Sequence, residues 1–345
     1  LRKAMKAAVL YSFSDIRIED VPVPAIGPGE ALVRVRASGI CSGDVMPWYI
    51  EKKAPLVIGH EPAGKIVAVG EGVHGFAPGN RVFVHHHAPC MKCSYCRKGD
   101  HVQCETWRNS RIDPGGIAEY MRVPAVNLMH DTLHLPASVS FNEAVFVEPL
   151  ACVVKGLRRA KIRHGDTALV IGMGVMGQLH IPALGSMGVT RIIAADRVPF
   201  RLQKALELGA NETIDVSRTS IIDRLSEITT GGMADLVVVG PASAAAMETG
   251  LSCAAPGGTV LFFSPAVPGE TLAIDPNALY FKDISVVTTY SCGPEDTRRS
   301  LELIRSKKVP VEPLITHKFP IERTAEAYRL TASGGDSLKT VITFD

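Results

Sequence analysis

Apolar positions follow two different rhythms along the chain. Through about the first 145 residues they come in short β-rich runs, at 7–10, 31–37, 64–69 and 80–84. Gly27-Pro28-Gly29 and Ala77-Pro78-Gly79 punctuate them. Such runs between Gly/Pro turns predict strands and a compact, barrel-like β domain. Near Phe141 the period lengthens, and residues 141–160 carry helical spacing. From 167 on, apolar strands predicted at 167–171, 191–195, 235–239 and 259–263 alternate with helices around 176–187, 199–209 and 243–254. That alternation predicts a parallel sheet covered on both faces, with 284–289 as a sixth, edge strand. The tail carries a helix over 320–331, a Gly334-Gly335 break and a last strand at 338–344, expected to rejoin the first domain.

A chain of 345 residues, 46% hydrophobic and 21% charged, has the size and composition of a two-domain, water-soluble globular protein. The formal charge of +2 comes without a basic block or acidic tail, so nucleic acid and anionic membranes are not expected partners. No apolar run is long enough to span a bilayer, and the opening Leu1–Met5 lacks the apolar stretch of a secretory leader. Eight cysteines raise the question of disulfides, but four of them fall within 15 residues. That spacing favours reduced, metal-binding thiols and a cytoplasmic protein.

Strand 167–171 runs into Gly172-Met173-Gly174-Val175-Met176-Gly177, and a second strand ends 19 residues past the last glycine in Asp196. A bare G-x-G-x-x-G is weak; between a strand and a helix, with an acid at that distance, it is a dinucleotide fingerprint. Gly172 permits the tight turn, Gly174 leaves room for the pyrophosphate and Gly177 lets helix and strand approach. The helix start at Val175 and Met176 offers free N–H groups and positive dipole to the phosphates. Asp196 is expected to accept from the ribose hydroxyls and repel a 2′-phosphate, favouring NAD over NADP. Arg197, directly after it, is the residue that could pair with such a phosphate.

Cys90-x2-Cys93-x2-Cys96-x7-Cys104 presents four soft ligands on one short lobe, about 88–106. Four thiolates suit a closed tetrahedral zinc that organises structure; an iron–sulfur cluster, unconnected cysteines or a redox pair are the alternatives. A second set is dispersed: Cys41, His60-Glu61 and Glu148, each beside Gly, Asp or Pro. A thiolate, an imidazole and a carboxylate would hold zinc with one position free, but a buried cysteine and a core histidine fit the same spacing. Adjacent residues of an extended segment point opposite ways, which assigns His60 to the metal and Glu61 to a nearby position exchanging with water. Asp44 is the expected carboxylate behind His60.

These residues, in this order, resemble the zinc-containing medium-chain alcohol and polyol dehydrogenases. The resemblance covers essentially the whole chain and includes Gly59-His60-Glu61-x2-Gly64, Gly79-x-Arg81-Val82, the four-cysteine lobe and Gly115-Gly116-x-Ala118-Glu119-Tyr120. Glu148-Pro149-Leu150, the nucleotide fingerprint and the segment 317–328 complete it. Glu148, where alcohol enzymes carry a second ligand cysteine, is similar to the sorbitol, xylitol and threonine dehydrogenases. The resemblance implies an α/β protein with three segments. A GroES-like β-barrel-type catalytic domain spans 1–145, a Rossmann doubly wound parallel sheet domain spans 146–295, and 296–345 returns to the catalytic domain. It further implies two zinc ions per subunit, NAD, a small-molecule alcohol substrate and assembly as a homotetramer or homodimer. The family places a Ser or Thr two residues after the ligand cysteine as proton relay; here that position is Gly43, and Ser42 stands one place earlier, where the coenzyme phosphates are often touched. Water at the metal with Glu61, or a pocket residue such as His85, is then expected to carry the proton.

Of the three consecutive histidines, His85 to His87, the expectation is mixed core and surface roles or one lining the pocket. Trp48 and Tyr49 wall the pocket or simply pack, and Cys152, Cys253 and Cys292 read as free thiols. The leading function is NAD-linked oxidation of a secondary alcohol: a polyol, sugar derivative or hydroxy amino acid. A zinc-dependent reductase of sugar-derived metabolites uses the same residues. A non-catalytic nucleotide-binding protein, like the lens crystallin relatives of the superfamily, is the third reading.

Overall fold

The computed structural model describes residues 3–345; Leu1 and Arg2, part of the opening segment and of the expected first domain, lie outside the described residues. The chain begins with an antiparallel hairpin of β1 (Ala4–Ser12) and β2 (Asp15–Pro22). Next come β3 (Ala31–Gly39), β4 (Leu56–Val57), β5 (Glu61–Val69), β6 (Arg81–Val84), β7 (Tyr120–Val123) and β8 (Thr132–His134). Beyond helix Val147–Ala160 lie β9 (Thr167–Ile171), β10 (Arg191–Asp196), β11 (Glu212–Asp215), β12 (Ala234–Val239), β13 (Ala254–Phe262) and β14 (Ser285–Thr288). β15 (Ile315–Pro320) and β16 (Lys339–Thr343) close the chain.

The chain divides into two units. One holds everything through Ala151 together with Cys292–Ser306 and Val311–Asp345; the other holds Cys152–Ser291 and Lys307–Pro310.

In the first unit, β2-β1-β4 form a small sheet, and β15-β16-β3-β5-β6-β8 run in order through a larger one, with β7 paired to β3. β16 lies antiparallel to β3 and parallel to β15, so the last strand of the chain borders the strand that leads to Cys41. Apolar positions of these strands fill one core, with Val33, Val35, Ile66, Val82, Met121 and Ile342 buried, joined by Tyr328 of helix Thr324–Ser333. This is the pattern a half-buried antiparallel sheet requires.

The second unit is a six-stranded parallel sheet in the order β11-β10-β9-β12-β13-β14, the strand order of a Rossmann fold. β9 and β12 are central and nearly free of exposed surface, which is why they read as unbroken apolar runs. β14 is the edge strand foreseen near 284–289. β11 and the helix after it, Ile221–Ile228, have no counterpart in the sequence expectation: at the opposite edge β11 buries only Ile214, too little for an apolar pattern to register. The hairpin partner β2 went unread for the same reason, having no fully buried position. Among the described residues, no helix is long and apolar enough to cross a membrane.

Leu169, in the middle of β9, is fully buried between β10 and β12. Leu169→Ala is expected to cost about 2–5 kcal/mol, because its neighbours are held by two ladders and cannot collapse into the space. Urea unfolding of both proteins measures it; a loss under about 1 kcal/mol would show that this core repacks.

Candidate metal centres and nucleotide-binding turn

β3 delivers Cys41 to the start of a short 3-10 turn, Ser42–Val45, where its sulfur accepts from the Gly43 N–H at 3.3 Å. Asp44, inside that turn and buried, places Oδ2 3.1 Å from His60 Nδ1. His60 stands at a bend between Gly59 and β5, and Gly59 has φ +91°, where a side chain would be strained. Because His60 precedes the strand, alternation does not separate it from Glu61. The ligand atoms of Cys41, His60 and Glu61 all lie within 4.8 Å of one another. The expectation that Glu61 points away is thus corrected: the bend, not an extended pair, sets the two side chains.

The Glu61 carboxylate is fully buried and meets Lys339 of β16, whose ammonium contacts Glu61 Oε2 and donates to the Ile40 carbonyl at 3.1 Å. Among the described residues, the other oxygen, Oε1, has no hydrogen-bond partner. Burial pushes the Glu61 pKa up, with Lys339 opposing. Burial works against the His60 imidazolium, but Asp44 and Cys41 outweigh it and hold its pKa well above the usual value. Burial also raises the Cys41 thiol, against the pull of His60. A borderline-soft cation is the group that these donors suit, and the orphaned Oε1 is an acceptor it would satisfy. Sequence reasoning missed Lys339; a lysine in a C-terminal strand carries no signal of its distant partner.

Glu148 is buried near the start of helix Val147–Ala160, and its charge acts on Glu61. Its carboxylate, expected beside Cys41 and His60, is grouped instead with His85 and Cys292. Ser42 and Gly43 are half-buried on the Cys41 turn, and a Cβ at Gly43 would meet nothing closer than the Cys41 sulfur at 3.6 Å. The three histidines do not divide between core and surface: His85 is buried, and His86 and His87 are half-buried. His86 packs on the His60 ring at 4.8 Å between centroids, and His87 on Trp107 at 4.3 Å. Burial lowers both, His87 to about 3, so they are neutral packing groups.

In the cysteine lobe, Cys90, Cys93, Cys96 and Cys104 bring their sulfurs within 4.8 Å of one another. Cys93–Cys96 and Cys90–Cys96 are 3.5 and 4.0 Å apart, bracketing the roughly 3.8 Å edge of a tetrahedron with 2.3 Å zinc–sulfur bonds. The Cys93 N–H points at Cys90 and the Cys90 N–H at Cys104, both at 3.4 Å. Donors from Lys92 and Cys93 bring the Cys90 thiol down to about 6. Trp107 and Val102 pack against the set. The lobe fits a closed, four-thiolate zinc.

The nucleotide turn lies wholly in the second unit. Gly172 has φ +89°, Gly174 caps helix Val175–Ser186 and faces open space, and a Cβ on Gly177 would stand 2.0 Å from the Gly172 carbonyl. Val175 and Met176 form the first turn of that helix. Asp196 ends β10 with its carboxylate accepting from the N–H groups of Met173, Arg197 and Val198 at 2.6, 2.7 and 2.9 Å, and Arg201 lies 4.0 Å away. Arg197 itself is exposed.

A six-stranded sheet of nucleotide-binding order and a separate unit carrying Cys/His/carboxylate clusters define an NAD(P)-binding oxidoreductase. Comparison with known proteins agrees. An alcohol dehydrogenase GroES-like domain profile matches residues 27–136, and a zinc-binding dehydrogenase profile matches 175–306. Sorbitol dehydrogenase of Halalkalibacterium halodurans is 32% identical over 352 residues, covering 98% of this chain and 99% of the relative. Among solved structures, a zinc-binding dehydrogenase of Sinorhizobium meliloti bound to NADP has TM-score 0.89 at 26% identity, over 99% of this chain and 100% of the other. An alcohol dehydrogenase of Escherichia coli complexed with NADH has TM-score 0.89 at 27% identity, over the same shares. The chain belongs to the zinc-binding medium-chain dehydrogenase/reductase superfamily, close to the sorbitol and polyol dehydrogenases.

Breaking a buried ion pair by removing one partner costs about 3–5 kcal/mol. Lys339→Met is expected to destabilise the metal-depleted protein by that amount, and the double variant with Glu61→Gln to recover most of it. Denaturant unfolding of the four proteins checks this; additive losses would show that the two side chains do not support each other.

Proposed function

We propose that the protein transfers a hydride between a secondary alcohol and NAD at the Cys41–His60–Glu61 cluster. The substrate class is a polyol, sugar derivative or hydroxy amino acid. The observation that carries this reading is the convergence of half-buried Cys41 and His60 with the buried Glu61 carboxylate, Asp44 standing on His60 Nδ1, in a chain close to sorbitol dehydrogenases. Zinc held there would supply a Lewis acid for the substrate oxygen, and NAD the hydride acceptor. A second zinc at Cys90, Cys93, Cys96 and Cys104 would be structural.

The chain's own residues set the rest. Asp44 fixes the His60 ring through Nδ1 and leaves Nε2 as the nitrogen for the metal. Lys339 contacts Glu61 Oε2, and the Glu61 carboxylate, beside Cys41 and His60, is assigned the proton. Ser42 lies next to Cys41 in the chain and is assigned to the coenzyme. The turn from Gly172 to Gly177 binds the pyrophosphate, and Asp196 excludes a 2′-phosphate by charge. Assembly as a homodimer or homotetramer goes with this reading.

The test is NADH formation from a panel of polyols, amino alcohols and threonine by zinc-loaded protein; no turnover with any of them would sink it. Glu61→Gln is expected to slow single-turnover hydride transfer about 100- to 10,000-fold. Ser42→Ala should chiefly weaken coenzyme binding, and the reverse pattern would assign the proton to Ser42. Asp196→Ser should lose NAD affinity and narrow the gap to NADP. A parent protein with higher kcat/KM for NADP would overturn that assignment.

A further inference from the structure

A second cluster of metal-ligating side chains lies in the first unit, built from residues that the proposed reaction does not use. His85 follows β6, and its Nδ1 donates to Asp131 Oδ2 at 2.7 Å. Asp131 is itself held by the Thr297 hydroxyl, which donates to Oδ1 at 2.5 Å. The ring is further fixed at its backbone: the His85 N–H donates to the Asp131 carbonyl at 3.0 Å, and Asn127 Nδ2 donates to the His85 carbonyl at 3.0 Å. All of this turns the second ring nitrogen, Nε2, toward Cys292, whose sulfur is 3.6 Å away. The Glu148 carboxylate completes the group, with one ligand atom of each of His85, Glu148 and Cys292 within 4.8 Å of the other two. His85, Asp131 and Cys292 are fully buried and Glu148 is 5% exposed.

This is the arrangement by which proteins orient a ligand histidine: a carboxylate on one ring nitrogen, leaving the other for the metal. One thiolate, one imidazole and one carboxylate are also the donor set of an open zinc site, and the two anions neutralise a dication. A structural packing role would need neither the Asp131–Thr297 support nor a thiol on Nε2 with a carboxylate close to both. We propose that His85, Glu148 and Cys292 bind a third divalent, thiophilic cation of the zinc class, separate from the ions at the cysteine lobe and at Cys41–His60–Glu61.

The experiment measures zinc per chain, by element analysis, in freshly purified protein equilibrated against buffered micromolar zinc. Wild type is expected to hold three ions and Cys292→Ser two. His85→Gln, which keeps most of the side-chain volume, should lose the same single ion. Asp131→Asn should keep the ion but weaken its zinc affinity about 10- to 100-fold, since it alters only the group behind the ligand. With cobalt(II) in place of zinc, the wild type minus Cys292→Ser difference spectrum should show a thiolate-to-cobalt charge-transfer band. Cys41→Ser separates this inference from the proposed function: it should lose one ion while the Cys292-dependent ion and band remain. Two ions in wild type, or three in Cys292→Ser, would overturn the third site. An unchanged ion count in Cys41→Ser would instead count against the proposed reaction centre.

Discussion

A carboxylate without exposed surface must find a cation, and in the first unit Glu61 finds Lys339 from the far end of the sequence. The pair joins β5 to β16 across β3, the strand that ends beside Cys41. Two charges withdrawn from water hold only if both stay matched, so the position of the last strand and the placement of the Cys41–His60–Glu61 cluster depend on one contact. The tail is thereby part of the site's scaffold, although it contributes no ligand to that cluster. Lys339 also gives Glu61 two unequal oxygens: one in contact with the ammonium, one without a hydrogen-bond partner among the described residues.

The same unit uses an aspartate behind a histidine twice. Asp44 sits on His60 Nδ1 and Asp131 on His85 Nδ1. In both, the carboxylate is buried and the ring is held with Nε2 left for another partner, and in both a cysteine sulfur is close. Burial alone would drive each histidine neutral; the adjacent carboxylates and thiols reverse that, which His86 and His87, with no carboxylate or thiol beside the ring, show by contrast. Four histidines within one packed region thus divide by neighbour, not by depth. Those with an anion on Nδ1 are charge-bearing or ligand-ready, and those without are aromatic filler between the two clusters.

Much of this was legible in the sequence where information is local. The Gly172–Gly177 turn between a strand and a helix, Asp196 at the next strand's end and the tight cysteine spacing each lie within a short stretch, and the local geometry enforces the reading. The parallel strands at the centre of the sheet were legible because burial on both faces makes them uniformly apolar; β11, with one buried residue, was not. What failed to show was pairing at long range. Nothing near Lys339 indicates Glu61, and nothing near Cys292 in its turn indicates His85, 207 residues earlier. The bend at His60 was missed for a different reason: alternation was applied to a residue that lies just outside its strand, where Gly59 and its positive φ change the direction.

Asp196 shows how tightly recognition is tied to local architecture in the second unit. A carboxylate offers about four acceptor positions, and three are filled by N–H groups of Met173, Arg197 and Val198. Through Met173 it anchors the glycine turn, and through Arg197 and Val198 it shapes the start of the next helix, Pro199–Glu207. The residue that would select the coenzyme is therefore also the one that folds its binding turn. Replacing it removes selectivity and framework together, so a variant that changes coenzyme while keeping the turn has to act from outside this network. Arg197 is the residue placed to do so: its backbone is tied to Asp196, but its side chain is exposed and can be altered without opening any of the three hydrogen bonds.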